Sequence, residues 1–501
     1  MDSSVYEGLI GKGVLISPEI IEKKYDPELV KEVADFFGNS IDFLDEELVE
    51  SFKLKKEVQK QNSIKVIKDY SEKPKKRSFQ DFVKVFNKRF EGLSNILKAR
   101  SELQSLTSIA RLQGKESGDK VSIIGMVLEK SFTKANNIIV TVEDKSGPCK
   151  VIIRKEGDKD LYARGLDLVD DEVIGASGTW LGSALFPDDI YHPDVPLSKE
   201  LKKSPEEEYV VFMGDMHFGS KHFMKKEFTK FLAWINGKVG NDEQKHIASK
   251  VKYIVMTGDL IEGAGTYPGQ ENDLEIIDVK EQYDDAAKWF SRIPSHIQMV
   301  TTTGNHDVGR LAEPQEKPYF EAAQTLYKMP NLRLVSNPAL VRLGASGNFP
   351  GFDVLLYHGG SFIYYSENVP SIRAAGGQKR ADLILKFLLE RRHLAPTHGS
   401  TLIIPDVDQD YLLIDEVPDF LATGHIHRTS ASTYKNVTAL NTSCWTETTE
   451  NQIKRGLEPQ PGRAMIVNLQ TRDVKVMNFL SKDQKEKEKL KAKKAKVVDD
   501  E

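Results

Sequence analysis

The sequence predicts a multidomain chain of mixed α+β and α/β class, made of a small helical module, a barrel of short strands and a larger layered domain. Three observations predict it. The length, 501 residues, exceeds one ordinary domain and suggests two to four. Between about 119 and 190, short β-branched runs are broken by Gly, Asn and Asp. From about 205 to 480, apolar strand-like runs alternate with helical stretches, the pattern of an α/β layered domain.

In chain order, residues 1–58 read as the helical module: Ser17-Pro18-Glu19 in ISPEIIEKKY is a cap and first turn, and ELVKEVADFFGNSIDFLDEELVESF carries apolar residues at helical spacing. Residues 59–80 are Lys-rich and end in DYSEKPKKRS, read as a linker; its basic cluster is a solvated tether or, alternatively, a DNA contact. Residues 81–115 hold an amphipathic helix in which Phe82, Phe86, Phe90, Leu93 and Leu97 share one face, more often core than partner groove. Residues 116–200, with VSIIGMVLEKSF, IIVTVEDKSG, CKVIIRK and EVIGASGTW, fit an OB-fold. Stacking aromatics are sparse there, so docking ranks ahead of strand binding. Residues 205–480 form the layered domain, and 481–501 a charged tail. The Lys/Glu run Lys482–Lys496 reads as a frayed helix or disorder, with a partner-binding tail as the alternative.

Composition narrows the function classes. No apolar run approaches the roughly 20 residues that span a bilayer. The start, MDSSVYEGLIGKGVLISPEI, lacks a basic segment followed by a long apolar one, so the expectation is a cytoplasmic protein without membrane association. Cys149 and Cys444 belong to no zinc-type spacing and read as small buried apolar residues; a disulfide framework is excluded. The net charge of −5 neither supports nor excludes nucleic-acid binding, which needs only a local basic surface.

Five segments in the last 300 residues share one design, an apolar run ending in metal-type donors. YVVFMGDMHFG ends in Asp215 and His217, YIVMTGDLIEG in Asp259, MVTTTGNHDVG in Asn305, His306 and Asp307, VLLYHGG in His358, and FLATGHIHRT in His425 and His427. Runs buried on both faces belong to sheets whose strand ends gather ligands. Gly214, Gly258, Gly304, Gly359 and Gly424 flank the donors and would allow tight turns. A thiolate-free set of oxygen and nitrogen donors suits Mn²⁺, Fe or Zn²⁺ better than Ca²⁺, and Mn²⁺ is the expected ion. Asp259, alone between the other groups, is the natural carboxylate bridge. One such motif proves little; the ordered series DxH, GD, GNHD, H, GHxH does not arise by chance.

These motifs resemble the calcineurin-like metallophosphoesterase superfamily. The resemblance implies a β-sandwich flanked by helices and two divalent metal ions, one held by Asp215, His217, Asp259 and His427, the other by Asp259, Asn305, His358 and His425. It implies His306 as the catalytic histidine, with Asp307 orienting it. A barrel followed by a phosphoesterase is similar to the small, exonuclease-bearing subunits of archaeal D-family DNA polymerases. GDLIEG, YPGQENDLEI and the stretch GHIHRTSASTYKNVTALNTSCWTETTENQIKRGLEPQPGRAMIVNLQT carry that similarity, strong over about 115–475. WTETTENQ departs from the family pattern but contains no metal ligand.

What this resemblance implies is a 3′→5′ exodeoxyribonuclease acting by metal-assisted phosphodiester hydrolysis. It would act on a DNA 3′ end, paired with a large catalytic subunit in a heterodimer or heterotetramer. Its place would be the nucleoid of an archaeal cell. A sliding clamp is a further partner the family suggests, although no convincing clamp motif is present. The competing readings are a stand-alone metallophosphoesterase and a non-catalytic scaffold. Arg310 and Arg428 are the substrate candidates. Lys221, His222, Tyr267, Pro268, Phe362, Tyr364, Tyr365, Arg373 and Arg380 would hold DNA or, for the aromatics, fill the core.

Overall fold

The computed structural model describes all residues except 1–3, 11–13, 24, 38–42, 61–63, 72–74, 407–408, 455–456, 489 and 491–501. The end of the charged tail therefore lies outside the described residues. Among the described residues no helix is long and apolar enough to cross a membrane.

Strands Lys120–Phe132, Ile138–Asp144, Gly147–Ile153, Val173–Trp180 and Leu185–Tyr191 close into a barrel in the order first, second, third, fifth, fourth. Helix Lys159–Leu166 lies between the third and fourth strands, which is OB-fold topology. Alternation drives it: Ile138, Val140 and Val142 point inward from one strand, and Val151 and Ile153 meet them from the next.

Two six-stranded sheets form the larger domain. The first runs Leu332–Leu334, Gln298–Thr301, Val251–Met256, Tyr209–Met213, Arg463–Asn468, Val474–Asn478. The second runs Ser430–Tyr434, Val437–Asn441, Phe420–Thr423, Phe352–Leu356, Ala339–Leu343, Ile64–Lys68. Val210, Phe212, Val255, Val341, Val354, Phe420 and Met465 fill the space between the sheets. Helices Lys225–Ile235, Val279–Phe290 and Phe320–Lys328 cover the first sheet, and helix Ala381–Arg391 covers the second. Central strands such as Tyr209–Met213 and Phe352–Leu356 are buried at every residue, as sheets covered on both faces require.

The N-terminal helices Ser4–Ile10, Pro18–Glu22, Pro27–Phe37 and Glu46–Lys60 continue the core over the first sheet, with Val30, Val33, Leu44 and Val49 clustering with Phe320 and Leu326. The Lys-rich segment departs from the expected tether. Ile64–Lys68 is an antiparallel edge strand on Ala339–Leu343. Ile64 is buried in the inter-sheet core and Val66 packs against it, while Lys68 reaches Asp415 at 3.4 Å. The outward lysines conceal a strand whose inward residues are apolar. The predicted helix spans Phe79–Lys98 and buries Leu93 and Leu97, as expected. It also buries Arg89, which donates to Asp410 at 2.9 Å.

Candidate metal centre

Each donor group follows the carboxyl end of a buried strand. Tyr209–Met213, Val251–Met256 and Gln298–Thr301 run parallel in the first sheet, and Phe352–Leu356 and Phe420–Thr423 run parallel in the second. Their ends therefore open at one edge of the sandwich, where the loops bring all seven predicted donors together. Asp215, His217 and His427 form one group, His217, Asp259 and His306 a second, and Asp259, His358 and His425 a third, within each of which the candidate donor atoms lie within 4.8 Å of one another. Asp259 belongs to two of the three.

The backbone is strained there. Asp215, His217, Asp259, His425 and His427 all have φ between 49° and 72°, a region that residues with a Cβ seldom adopt. Such strain persists where the surrounding structure holds it, typically at functional sites. The flanking glycines serve mainly another purpose than the expected turns. Gly258 and Gly359 do take positive φ. Gly214, Gly304 and Gly424 do not; they leave room for a neighbour, since a Cβ on Gly424 would lie 2.5 Å from Asp215 Oδ2.

The donor set fits divalent cations. His217 Nε2 and His427 Nε2 face each other at 3.2 Å. His427 Nε2 is 3.4 Å from Asp215 Oδ1, and Asp215 Oδ2 is a buried atom with no hydrogen-bond partner. Asn305 Oδ1 lies 3.0 Å from His358 Nε2 and 2.9 Å from His425 Nδ1. Burial resists charge on His358, yet the Asp259 carboxylate, 3.2 Å away, drives the imidazole up to about 10.

Hydrogen bonds and a close ion-pair contact behind the donors fix their orientation. His358 Nδ1 donates to Thr257 O at 2.8 Å, leaving Nε2 facing Asp259. His217 Nδ1 sits 3.1 Å from Glu262 Oε2. His306 Nδ1 donates to the main-chain oxygen of Glu262 at 2.8 Å. Glu262 thus holds two site histidines at once, and sequence reasoning missed it; its place three residues after Asp259 in GDLIEG was the available signal. Burial pushes its carboxyl up, but His217 and His306 bring it down to about 2.

The expectation that Asp307 orients His306 is corrected. The Asp307 carboxylate accepts from Gly304 N at 2.9 Å, Leu260 N at 3.2 Å and the Tyr283 hydroxyl at 3.2 Å. It clasps the GNHD turn, through Gly304 N, to the Asp259 loop, through Leu260 N, while His306 is held by the Glu262 carbonyl.

The structure separates the remaining candidates. Arg310 is engaged by the Tyr70 ring and by Glu316 at 3.5 Å, and Arg428 by Glu458 at 3.4 Å. Phe362 and Tyr365 are fully buried in the core over the second sheet, so they are fillers. Arg380 pairs with Asp382, and Arg373 donates to Glu367 O. Lys221 and His222 hold the loop 272–273. Tyr267 stands beside His306, ring centroids 6.4 Å apart. The departing segment WTETTENQ touches the site: Trp445 N donates to Asp215 O at 2.9 Å, and Gln452 Nε2 lies 3.4 Å from His427 Nδ1.

Residues 209–429 match the calcineurin-like phosphoesterase family. The chain is 40% identical over 388 residues to the DNA polymerase II small subunit of Methanothermobacter thermautotrophicus, covering 77% of each chain. It is 37% identical over 405 residues to the protein of that name from Archaeoglobus fulgidus, covering 81% of this chain and 78% of that one. The protein of that name from Thermoplasma acidophilum is 33% identical over 485 residues, 95% of this chain and 93% of that one.

Proposed function

The chain belongs to the family of DNA polymerase II small subunits and carries a calcineurin-like phosphoesterase domain, and from that premise we propose that it is the 3′→5′ exodeoxyribonuclease subunit of a two-subunit replicative DNA polymerase. The observation that carries this is the convergence of the complete donor set, Asp215, His217, Asp259, Asn305, His358, His425 and His427, at one strand edge. A scaffold that had lost catalysis would have no reason to keep five strained backbone positions around seven aligned donors.

Asp215, His217, Asp259 and His427 would hold one divalent ion and Asp259, Asn305, His358 and His425 the other, Mn²⁺ being the ion proposed and Fe or Zn²⁺ the alternatives the donors also accept. Two ions bound there would supply Lewis acidity to a phosphodiester and a nucleophile from water. The chain's own part centres on His306. Its Nδ1–H is anchored on the Glu262 carbonyl, so Nε2 keeps one direction whether or not it carries a proton. Protonated, Nε2 donates to the leaving oxygen; neutral, it takes the proton back from solvent. Asn305, His306, His425 and His427 are partly exposed while Asp215 and Asp259 are buried, as expected if the substrate enters over these side chains. The large polymerase subunit is the partner, and a DNA 3′ end the substrate.

The test is cleavage of a 5′-labelled single strand with Mn²⁺, by the chain with and without the large subunit. A ladder shortening from the 3′ end, abolished in His306→Ala with subunit binding retained, is the expected result. Turnover of small phosphomonoesters alone would favour a stand-alone phosphatase, and no turnover with the large subunit present would favour a scaffold.

A further inference from the structure

Residues 263–273 form a loop beside the metal centre that is held far more firmly than an exposed connection needs. Gln282, fully buried, donates from Nε2 to Gly263 O at 3.1 Å and to Ile276 O at 2.8 Å, and accepts from Gly263 N at 2.8 Å. Gln270, also buried, donates to Glu262 O at 2.8 Å and accepts from Thr266 N at 2.8 Å. Lys221 N donates to Asp273 O at 2.8 Å. Two buried amides thus fasten both ends of a loop whose tip, Ala264 to Gly269, carries one large side chain, Tyr267.

That side chain is fixed as well. Its hydroxyl lies 2.9 Å from Asp273 Oδ2 and 3.2 Å from Glu262 Oε1. Burial, and then the Glu262 carboxylate, keep the phenol protonated. With its only proton held between two carboxylates, the hydroxyl has none to donate to a substrate. What remains is the ring. It is only partly buried and stands beside the partly buried His306 imidazole, at 6.4 Å between centroids and 62° between planes.

A rigid, partly open aromatic face next to the phosphate-side histidine matches what a nucleobase requires. Every base has a π-face, and stacking on an aromatic side chain is tolerant of sequence. We propose that Tyr267 is a specificity-determining residue whose ring stacks on the base of the terminal nucleotide, so that the site selects a polynucleotide end bearing a base over an end without one. The inference rests on the nuclease reading and names the part of its substrate that the metal donors do not reach.

The test uses the full chain with the large subunit present and Mn²⁺, on two single strands identical except for the 3′ terminus: one ends in thymidine, the other in an abasic deoxyribose. Wild type is expected to prefer the base-bearing end in kcat/KM by about ten- to hundredfold, the order that one base–aromatic stack provides. Tyr267→Ala should bring the two ends to within about threefold of each other, mainly through KM, with bound metal unchanged. Tyr267→Phe, which keeps the ring and removes the hydroxyl, should retain most of the preference. Cleavage by Tyr267→Ala with the preference intact would overturn the inference and leave the nuclease reading standing. Failure of wild type to shorten either strand would overturn both.

Discussion

A methyl group placed on Gly304 would put its carbon 2.1 Å from Asp259 Oδ1 and 2.5 Å from the Asp259 amide nitrogen. Neither atom can give way without moving the carboxylate that belongs to two of the three donor groups. Gly304→Ala is therefore expected to lose bound metal and, with it, the proposed cleavage, while the fold persists, which metal analysis beside circular dichroism would check; unchanged metal content would refute the close-approach account. Burial raises the Glu313 carboxyl to about 7, although the Tyr357 hydroxyl donates to it at 3.1 Å. A neutral buried acid binds a proton that the unfolded chain releases above about pH 4.5. Stability of the metal-free protein should then fall as pH rises from about 4.5 to 7, by roughly 3 kcal/mol at most for this group. Glu313→Gln, which mimics the neutral acid, should remove that slope in urea denaturation at pH 5 and pH 8. The donors were legible because each follows an apolar run in GD, GNHD or GHxH. Glu262 and Glu313 were not, because their importance lies in what folding places against them.

Among the connecting elements, helix Phe79–Lys98 shows how much a hydrophobic stripe leaves out. Phe82, Phe86, Phe90, Leu93 and Leu97 identify its face correctly, and Leu93 and Leu97 are fully buried. Within the same face lies Arg89, 1% exposed, paired with Asp410, which also meets His393 at 2.9 Å. Burial and the Arg89 charge press the His393 imidazole down to about 4, so Arg89 is the cation that balances Asp410 near neutral pH. Arg89→Ala would leave a buried carboxylate without that balance and is expected to destabilise the chain by about 3–5 kcal/mol. Lys145, which makes an exposed ion pair with Glu91 of the same helix, should cost far less on replacement by Ala, because water screens that pair. Equal losses in a denaturant titration would contradict the distinction. Strand Ile64–Lys68 escaped notice for a related reason: its Lys-rich neighbours set the local composition, and only pairing with Ala339–Leu343 reveals that Ile64 and Val66 face a core.

At the level of the whole molecule, the barrel stands on the helix that covers the second sheet, on ground separate from the metal donors. The joint is ionic and its charges are buried: Arg391 Nε and Glu172 Oε2 are 2.8 Å apart, with side chains 3% and 1% exposed, and His192 Nε2 lies 3.3 Å from the same carboxylate oxygen. Arg391 also donates to Asp167 O at 3.1 Å, and Asp171 accepts from His398 N at 2.8 Å, so the contact spans several turns of chain. A buried pair of this kind couples two bodies strongly, since removing one partner leaves the other charged and unsolvated. Barrel and sandwich should consequently unfold in one calorimetric transition in the wild-type chain. Arg391→Ala should lower the barrel's stability and split that transition in two, with metal content unchanged because none of the seven donors belongs to the barrel. If the barrel serves as the docking arm for the large subunit, the same variant should bind that subunit more weakly while the metal centre stays loaded. A single, unshifted transition in Arg391→Ala would mean that the joint contributes nothing to holding the two bodies together, and the rigid-arm account of the barrel would have to be given up.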